Sequence, residues 1–455
     1  MNILHALGWY FPDPVGGTEI YVQRLARLQR DAGHRVAVTA PRPGGSGVEH
    51  YVHDGVDVYR FPIGERLNRA QIQHRAPAGI PADFEGILGR GWDVFHLHSV
   101  VSGLDHFNVE ACRRHGIAVV STNHLPGLGY LCQRGSLLRF GRSSCDGVAA
   151  PTKCAACELQ HRGVPRPLAS VLAQTTAPLG ALGHRLKGRL GTAISMNALI
   201  VQNLANQDRL FKSTDRCVVL NQAAYDILIK NGAPVDRLRL NRLGISSKSV
   251  PKPGPDDSPS MLPLRFGYLG RITETKGVRH ILRAIARLPR RLRFEMDFVG
   301  PTGSADDRAL AAEIRSVAAA DDRIRLSPAV AHATAGSRLA ELDVLLCPSV
   351  GFENGPSVLL ESHAVGTPVI GSMVGAMPEL IQDGINGALV RPSSVDEIEG
   401  WIHRLCHEPA VVDSWRRRLG PIRTMDDVFE DYERMYRELV AVSSQAIGVE
   451  ARVAR

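Results

Sequence analysis

The first 41 residues, MNILHALGWYFPDPVGGTEIYVQRLARLQRDAGHRVAVTAP (1–41), indicate the fold class. The apolar run MNILHALGWYF (1–11) predicts a buried strand, and IYVQRLARLQRDAGH (20–34) spaces its apolar residues at helical intervals. A glycine-rich turn lies between them, and RVAVTAP (35–41) predicts a second strand. Strand, turn, helix and strand in this order form a βαβ unit, whose two strands are parallel.

The chain is too long for one ordinary domain. It has 455 residues, 44% of them hydrophobic, whereas a single domain usually spans roughly 100 to 200 residues. The alternation of strands and helices continues to about residue 245, and a second series starts at LRFGYLGR (264–271). We therefore predict an N-terminal domain over 1–250, a proline-rich polar linker over 251–263 and a C-terminal domain over 264–425.

The C-terminal segment 426–455 predicts a separate element. DDVFEDYERMYRELVAV (426–442) has the pattern of an amphipathic helix, which we expect to cross back to the first domain. The remaining residues, SSQAIGVEARVAR (443–455), predict a frayed tail.

The formal net charge of +8 favours anionic partners without choosing among them. No apolar run is long and uninterrupted enough to predict a membrane span, and the N-terminus lacks the cationic start of a secretory signal. We expect a cytoplasmic protein.

An acidic pair in the C-terminal domain marks the most specific candidate site. Glu353 and Glu361 in ENGPSVLLE (353–361) are separated by seven residues, and Pro356 is expected at the first position of a helix. The backbone N–H groups of Ser357, Val358 and Leu359 would then point at an anion, together with the positive end of the helix. This pattern predicts a phosphate site built from backbone.

Two cations are predicted at the same edge of the sheet. Arg271 and Lys276 in GRITETKG (270–277) follow the first strand of the second series. Open α/β sheets bind ligands at the carboxyl ends of their strands. Two positive charges there would neutralise a diphosphate without a metal ion.

These motifs resemble family 4 of the retaining GT-B glycosyltransferases. The resemblance is carried by GRITETKG (270–277), the block from Glu353 to Val390 and GGTEIYVQRLA (16–26), and it covers nearly the whole chain outside the insert and the linker. It implies an α/β GT-B fold, with two doubly wound Rossmann-like domains facing each other across a cleft.

The resemblance also implies roles for individual residues. In the C-terminal domain, Arg271 and Lys276 would bind the donor diphosphate, Glu353 the donor sugar hydroxyls and Glu361 the ribose hydroxyls. The rest of the implied donor site comprises the contact to the base and the loop before the helix, at Val330, Asn354, Gly355, Pro356, Ser357 and Val358.

In the N-terminal domain, the resemblance implies that Gly16 and Gly17 approach the donor, because a residue without a Cβ permits close contact. His124 matches the family histidine near the reacting sugar, although the following LPG departs from the acidic residue often found there. Two other histidines, His96 and His98, alternate on a strand; we expect at least one to pack against the core and predict no metal site there.

The implied activity is that of a retaining hexosyltransferase. The donor would be a nucleotide sugar, UDP- or GDP-linked, and the acceptor a glycan or a lipid-linked molecule, with no catalytic divalent metal. Catalysis would rest on Glu353, His124, Arg271 and Lys276. A GT-B epimerase of nucleotide sugars shares this architecture and stays open. A zinc-dependent nucleic-acid-binding module is disfavoured, since no basic and aromatic binding pattern accompanies the cysteines, and we predict no nucleic-acid partner.

An insert at about 125–207 carries four cysteines, Cys132, Cys145, Cys154 and Cys157, at spacing C-x12-C-x8-C-x2-C. Four thiolates suit a structural zinc ion or an iron-sulfur cluster. Disulfides or unligated thiols are further alternatives. Because the insert begins beside His124, we expect it to shape the acceptor side.

The segment from Leu159 to Gln207 contains five Lys or Arg residues and no Asp or Glu. Basic residues interleaved with apolar ones favour peripheral contact with an anionic membrane, at its inner face. A helical pair packed on the first domain, with a solvated basic face, explains the pattern equally well.

Overall fold

The computed structural model describes residues 1–13, 16–79, 81–183, 186, 188–246 and 263–453, and the side chains of these residues except those at 181, 182, 332, 333 and 443–453. Contacts divide the chain into two compact units. Unit 1 comprises 1–141, 145–242 and 425–455, and unit 2 comprises 142–144 and 243–424. The predicted linker lies outside the described residues except for Pro263.

Unit 1 is built around an eight-stranded sheet. The strands up to residue 242 are β1 (Asn2–Ala6), β2 (Arg35–Pro43), β3 (Glu49–His53), β4 (Val56–Ile63), β5 (Val94–Leu97), β6 (Ala118–Asn123), β7 (Leu138–Arg139), β8 (Ser143–Ser144), β9 (Arg216–Val219) and β10 (Leu238–Leu240). The short strands β7 and β8 form a separate two-stranded sheet, and the other eight form the main sheet. The sheet order is β10-β9-β6-β5-β1-β2-β4-β3. All pairs are parallel except β3 with β4. The sequence predicted the parallel theme but not the antiparallel edge strand.

The helices of this part of the chain connect the parallel strands. They are α1 (Gly17–Asp31), α2 (Arg69–Ile72), α3 (Pro81–Leu88), α4 (His106–Arg114), α5 (Pro151–His161), α6 (Arg166–Thr175), α7 (Gly180–Gly183), α8 (Gly188–Ser213) and α9 (Gln222–Lys230). Local chemistry sets several starts, because the side chains of Asp105 and Asn221 accept hydrogen bonds from N–H groups in the first turns of α4 and α9. The insert has its own small core, which includes Phe140, Leu159 and Leu199.

Unit 2 contains a six-stranded parallel sheet. Its strands are β11 (Leu264–Leu269), β12 (Phe294–Val299), β13 (Ile324–Ser327), β14 (Val344–Cys347), β15 (Val369–Ser372) and β16 (Gly387–Val390). Its helices are α10 (Val278–Arg287), α11 (Ala305–Ala318), α12 (His332–Ala340), α13 (Ser357–Ala364), α14 (Met377–Leu380), α15 (Val395–His407) and α16 (Ala410–Arg416). The sheet order, β13-β12-β11-β14-β15-β16, is that of a doubly wound fold. The mixed α/β prediction with parallel sheets is therefore confirmed.

The last helix, α17 (Met425–Val453), belongs to unit 1. Its Tyr432 and Tyr436 are fully buried there. The segment from 443 was predicted as a frayed tail, but it is helical to Val453, because no proline interrupts the helical pattern. Among the described residues, no helix has the length and apolar character needed to cross a membrane.

Candidate functional site

The carboxyl edge of the unit 2 sheet carries the predicted phosphate-site residues. The strands β11 and β14 are neighbours at its centre, and the chain proceeds outward from them in opposite directions. Loops that follow two such strands diverge and leave a crevice, where open α/β sheets bind ligands. Arg271 and Lys276 follow β11, and Glu353 follows β14.

An ion pair joins the two loops at this point. The ammonium nitrogen of Lys276 lies 2.6 Å from Oε1 of Glu353, and the two side chains are 29% and 12% exposed. Because the pair is partly shielded from water, its attraction is stronger than that of a fully exposed pair. The sequence placed both residues at one ligand but did not reveal their direct contact.

Two glycines hold these loops in position. A Cβ at Gly277, whose φ is +79°, would lie 2.0 Å from the carbonyl oxygen of Pro348. A Cβ at Gly375, whose φ is +54°, would lie 1.9 Å from the carbonyl oxygen of Glu353. A larger residue at either position would therefore displace a loop that carries the ion pair.

Helix α13 begins directly after the Glu353 loop. Pro356 is its N-cap and Ser357 its first residue, so the prediction of Pro356 at the first helical position is wrong by one residue. The N–H of Leu359 donates to the carbonyl oxygen of Pro356 at 3.0 Å. The prediction that Leu359 offers its N–H to an anion is therefore wrong as well, and the first-turn N–H groups of Ser357 and Val358 are the ones suited to that role.

The other polar residues of this block are more buried than a surface loop would suggest. Asn354 and Glu361 are only 6% and 8% exposed, and both have polar or electrostatic partners within the protein. Gly355 lies so close to Leu243 that a Cβ would approach its Cδ1 to 2.3 Å. A ligand that uses Glu361 must therefore reach a nearly buried carboxylate.

Arg271 and Val330 lie at the same edge of the sheet. Arg271 is exposed, and its carbonyl oxygen accepts a hydrogen bond from the hydroxyl of Tyr268 at 2.5 Å. The backbone N–H of Ser304 and, to a smaller extent, the charge of Arg271 lower the pKa of Asp307. Val330 follows β13 and is 38% exposed. Both residues are thus accessible to a ligand at the carboxyl ends of the strands.

In unit 1, Gly16 and Gly17 start helix α1. Gly16 is the N-cap, and its N–H donates to Oε2 of Glu19 at 2.7 Å. Because glycine has no side chain, this is only one of the two hydrogen bonds of a capping box. A Cβ at Gly17 would meet no described atom within 4 Å. The packing of the described residues therefore leaves space beside Gly17.

His124 belongs to a chain of histidines at the carboxyl ends of β1, β5 and β6. Nε2 of His124 lies 3.0 Å from Nδ1 of His98, and Nε2 of His98 lies 2.9 Å from Nδ1 of His5. Nε2 of His5 lies 2.6 Å from Oε1 of Gln29 on α1. The sequence identified His124 but missed His5 and Gln29; the histidine within the apolar strand β1 was the available signal.

A second branch of this network ends on helix α17. Nδ1 of His96 lies 2.5 Å from the hydroxyl of Tyr436, and its Nε2 lies 2.7 Å from Oγ1 of Thr122. Thr122 in turn lies 2.8 Å from the hydroxyl of Tyr432. His96 and His98 are 0% and 1% exposed, which confirms that these strand histidines pack into the core.

Burial keeps the cluster uncharged at neutral pH. Desolvation lowers the pKa of His5 to about 4 and that of His124 to about 3. The pKa values of His96 and His98 are also well below their ordinary value, mainly through burial. One ring nitrogen from each of His5, His96 and His98 lies within 4.8 Å of the others, but hydrogen bonds already engage these nitrogens, so we assign no metal to them.

Two family models match the chain. Residues 15–173 match the model described as Glycosyltransferase Family 4, and residues 263–408 match the one described as Glycosyl transferases group 1. The chain is a glycosyltransferase that is similar to family 4. The first match includes Gly16, Gly17 and His124, and the second includes Arg271, Lys276, Glu353 and Glu361.

A relative of this glycosyltransferase matches it almost end to end. The MMP alpha-(1->4)-mannosyltransferase of Mycolicibacterium hassiacum is 26% identical over 441 residues, which cover 94% of this chain and 95% of the relative. The family 4 assignment therefore agrees with a named hexosyltransferase over both units.

Solved structures agree on the GT-B fold. Sucrose-phosphate synthase from Thermosynechococcus elongatus matches with a TM-score of 0.65 and 17% identity, covering 97% of this chain and 99% of that structure. HepE from Anabaena, in complex with UDP-glucose, matches with a TM-score of 0.60 and 13% identity, covering 96% and 100%. At these identities the likeness concerns the fold.

In this glycosyltransferase, the four insert cysteines line one small cavity of about 40 Å³ in unit 1. Cys154 and Cys157 lie one turn apart on α5. The backbone N–H groups of Ala150 and Phe140 point at their sulfurs, at 3.5 and 3.3 Å respectively. The fold thus collects residues that are up to 25 positions apart in sequence.

Proposed function

We propose that this glycosyltransferase transfers a hexose from a UDP- or GDP-sugar to a hydroxyl group of a glycan or lipid-linked acceptor, with retention of configuration and without a catalytic divalent metal. The ion pair of Lys276 and Glu353 beside the start of α13 carries the proposal. The name of the mannosyltransferase relative and the UDP-glucose complex of HepE support the donor class.

The leaving diphosphate is held by positive charge. Glu353 holds Lys276 at the crevice between the loops that follow β11 and β14. The exposed side chain of Arg271 also follows β11. The first-turn N–H groups of Ser357 and Val358 add backbone donors. Charge that develops on the diphosphate during bond cleavage is stabilised by these preorganised groups, which removes the need for a metal ion.

The donor sugar and nucleoside are oriented by the remaining groups. Oε1 of Glu353 is committed to Lys276, and the rest of its carboxylate accepts hydrogen bonds from sugar hydroxyls. Glu361 accepts hydrogen bonds from the ribose, and the backbone at Val330 contacts the base. By the same resemblance, we propose that His124 contacts the reacting sugar and that Gly17, where a Cβ would meet no described atom within 4 Å, leaves room for the donor.

Paired binding measurements test the ion pair. Lys276→Met should weaken UDP or GDP binding about tenfold or more, since a hydrogen bond to a charged group contributes about 1.5–3 kcal/mol, while uridine or guanosine, which lack phosphate, should bind as before. Lys230→Met, at an exposed lysine on α9, is the matched control. Wild-type diphosphate affinity in the Lys276 variant, measured by calorimetry, contradicts the proposed site.

The role of Glu353 is tested by turnover. Glu353→Ala should abolish transfer while nucleotide binding largely survives, and EDTA should leave wild-type transfer intact. Retention is read from the anomeric configuration of the product by NMR. Unchanged turnover in the variant, loss of activity in EDTA or donor isomerisation without an acceptor would each contradict the corresponding part of the mechanism.

We further propose that Cys132, Cys145, Cys154 and Cys157 bind a structural zinc ion, with an iron-sulfur cluster as the alternative. All four line one cavity, and backbone N–H groups directed at two sulfurs would stabilise thiolates bound to a metal. Without a metal, burial raises the pKa of the Cys145 and Cys154 thiols. Among the described residues, no three of these sulfurs lie within 4.8 Å of one another, so metal binding would require the sulfurs to move closer together. The metal would brace the insert, which contains its own core.

Elemental analysis of anaerobically purified protein tests the metal. One equivalent of zinc supports the first assignment, and iron with visible absorption supports the second. Cys154→Ser should lower metal content, whereas Cys406→Ser, at a buried cysteine of unit 2, should not. Protein that is fully folded and free of both metals contradicts the site.

Contact with an anionic membrane is the remaining proposal for the insert. Leu168 and Val171 on α6 are 50% and 54% exposed, and Leu190 on α8 is 68% exposed. Of the five cations of this segment, Arg185 and Lys187 lie outside the described residues, and Arg162 pairs with Glu158. Flotation with anionic liposomes at low salt tests the proposal, and Leu168→Ser should reduce binding; no flotation of the wild type contradicts it.

A further inference from the structure

A cavity of about 840 Å³ lies in unit 1 between helix α2 and the insert. Its walls come from the start of α2, the turn after α5, the residue Leu186 and the first two turns of α8. The volume is within the range of ligand-binding cavities, about 300–1,000 Å³. Its described lining includes none of the residues to which a role in donor or metal binding has been assigned.

Three arginines, Arg69, Arg162 and Arg189, line this cavity, and its described lining contains no carboxylate. The segments that supply the walls also lack acidic residues, since neither 66–82 nor 159–207 contains an Asp or a Glu. Glu158, which pairs with Arg162 at 2.8 Å, lines the neighbouring cysteine cavity instead. The cavity therefore has a surplus of positive charge.

Neutral partners hold the guanidinium group of Arg69 in place. Its Nη1 donates to the carbonyl oxygens of Gly183 and Leu186, at 3.4 and 2.9 Å, and its Nη2 donates to Oγ of Ser195 at 2.5 Å. These bonds supply no negative charge and use three of the five N–H donors that an arginine has. A guanidinium that is already fixed loses little conformational entropy when it binds an anion.

The cations of this region repel one another. Burial lowers the pKa of Arg69, and the positive charges of Arg75 and Arg162 lower it further. Arg162 uses its Nε for the bond to Glu158, and its two terminal nitrogens have no partner in the described part of the chain. Arg189 is exposed, and its side chain has no ion pair there either. An anion in the cavity would reduce the repulsion and accept hydrogen bonds from these donors.

The rest of the described wall is almost entirely apolar. It includes Leu159, Val164 and Leu186, and apart from the arginines only Thr192 contributes a polar side chain. Apolar surface of this kind is removed from water favourably by an apolar group. A ligand that matches the whole cavity thus combines an anion with an apolar part.

We propose that this cavity is a second phosphate-binding site of the chain, in which Arg69, Arg162 and Arg189 bind the phosphate of a monoester with an apolar part. A phosphate monoester offers three acceptor oxygens and a charge of about −1.5 to −2 at pH 7, whereas a carboxylate offers two oxygens and one charge. The inference goes beyond the proposed transfer reaction, whose diphosphate site lies in unit 2.

Phenyl phosphate is a probe with both features, and phenol is its counterpart without phosphate. Saturation-transfer NMR on the full chain should show that phenyl phosphate binds at least about fivefold more tightly than phenol, and that its binding weakens as salt is raised from about 50 to 300 mM, since ions screen the attraction. Equal binding of phenol, or binding of phenyl phosphate that does not depend on salt, overturns the proposal.

Substitutions show where the probe binds. Arg189→Gln should weaken phenyl phosphate binding about fivefold or more, since charge-assisted hydrogen bonds are lost, and it should leave UDP and GDP binding unchanged. Arg418→Gln, at an exposed arginine of unit 2, removes the same charge and should change neither. Unchanged probe binding in Arg189→Gln, or its loss in Lys276→Met, overturns the proposal. Because Lys276→Met tests the donor site, failure of that site is distinguishable from failure of this cavity.

Competition with phenyl phosphate identifies the source of the phosphate. Glycerol 3-phosphate represents a soluble ester, and phosphatidylcholine vesicles that contain phosphatidic acid represent a lipid headgroup with a phosphate monoester. Displacement by the vesicles assigns the site to a lipid headgroup, and displacement by glycerol 3-phosphate alone assigns it to a soluble ester. Displacement by neither, or equal displacement by vesicles of the same charge that contain phosphatidylglycerol, a phosphodiester, overturns the proposal.

Discussion

An ion pair distinguishes Lys276 from a solvated surface lysine, because its ammonium nitrogen lies 2.6 Å from Oε1 of Glu353. The pair restricts a long, flexible side chain, so less conformational entropy is lost when a ligand binds. Four buried histidines of unit 1, His5, His96, His98 and His124, show the opposite use of polarity, since burial keeps them neutral. Single residues thus place cationic side chains at the sheet edge of unit 2 and neutral imidazoles at the sheet edge of unit 1.

The buried histidines predict a steep loss of stability in mild acid. Their pKa values are lower in the folded than in the unfolded chain, so the unfolded chain binds more protons once the pH falls below about 6.5. The free energy of unfolding should decrease from there until the pH passes the folded values, about 4 for His5 and about 3 for His124. Each histidine contributes a slope of up to about 1.4 kcal/mol per pH unit.

Urea unfolding at pH 7, 6 and 5 measures this slope. His5→Asn should make it shallower, whereas His161→Gln should leave it unchanged, since His161 is exposed in the folded protein. A free energy of unfolding that does not change between pH 7 and pH 5 contradicts the buried, neutral cluster.

At the scale of elements, short loops after the strands decide where functional groups lie. The turn Glu274–Lys276 and the loop before α13 are each pressed against backbone atoms through a glycine. In the N-terminal unit, α17 contributes Tyr432 and Tyr436 to a network whose other members come from strands more than 300 positions earlier. The helices and strands set the positions of the loops, and the glycine contacts and the hydrogen bonds of α17 set the positions of the side chains.

A comparison of two glycines with similar backbone conformations distinguishes the effect of backbone strain from the effect of a close contact. Gly277 and Gly384 have φ of +79° and +73°, but a Cβ would meet a carbonyl oxygen at 2.0 Å only at Gly277; at Gly384 it would meet no described atom within 4 Å. Replacement by Ala should cost about 1–2 kcal/mol at both for the left-handed backbone. At Gly277 it should cost about 1–3 kcal/mol more, through overpacking.

Urea unfolding and calorimetry with UDP or GDP measure both consequences. Gly277→Ala should also weaken nucleotide binding, because it moves the loop of Lys276, and Gly384→Ala should not. Equal destabilisation by the two substitutions would show that the contact with Pro348 is unimportant.

At the scale of the whole molecule, two α/β units have separate cores and separate candidate sites. The residues to which we propose roles in binding the donor diphosphate belong to unit 2, while the four insert cysteines belong to unit 1. Each unit can therefore be probed by a ligand of its own chemistry.

Hydrogen exchange should resolve the two sites in the full chain. UDP or GDP at about 100 times its Kd should stabilise the native state by about 2.7 kcal/mol. Protection should rise in the segments 270–277 and 353–359 and stay unchanged around His5 and His98. Uridine or guanosine should protect the phosphate segments less, and protection centred on the histidine cluster would contradict the assignment of the diphosphate to unit 2.

The sequence by itself determined the parallel α/β class and the GT-B resemblance, and it located the candidate phosphate-binding residues at one edge of the second sheet. Hydrophobic periodicity and the short motifs around Arg271, Lys276 and Glu353 are local signals, and a doubly wound sheet brings the ends of its strands to one edge. Only the tertiary structure decided that Lys276 pairs with Glu353, that Leu359 donates its N–H within its own turn, and that His5 and Gln29 join the hydrogen-bonded chain of His98 and His124. These contacts join positions far apart in sequence or depend on the exact start of a helix, so their partners and distances are set by packing, which no local pattern records.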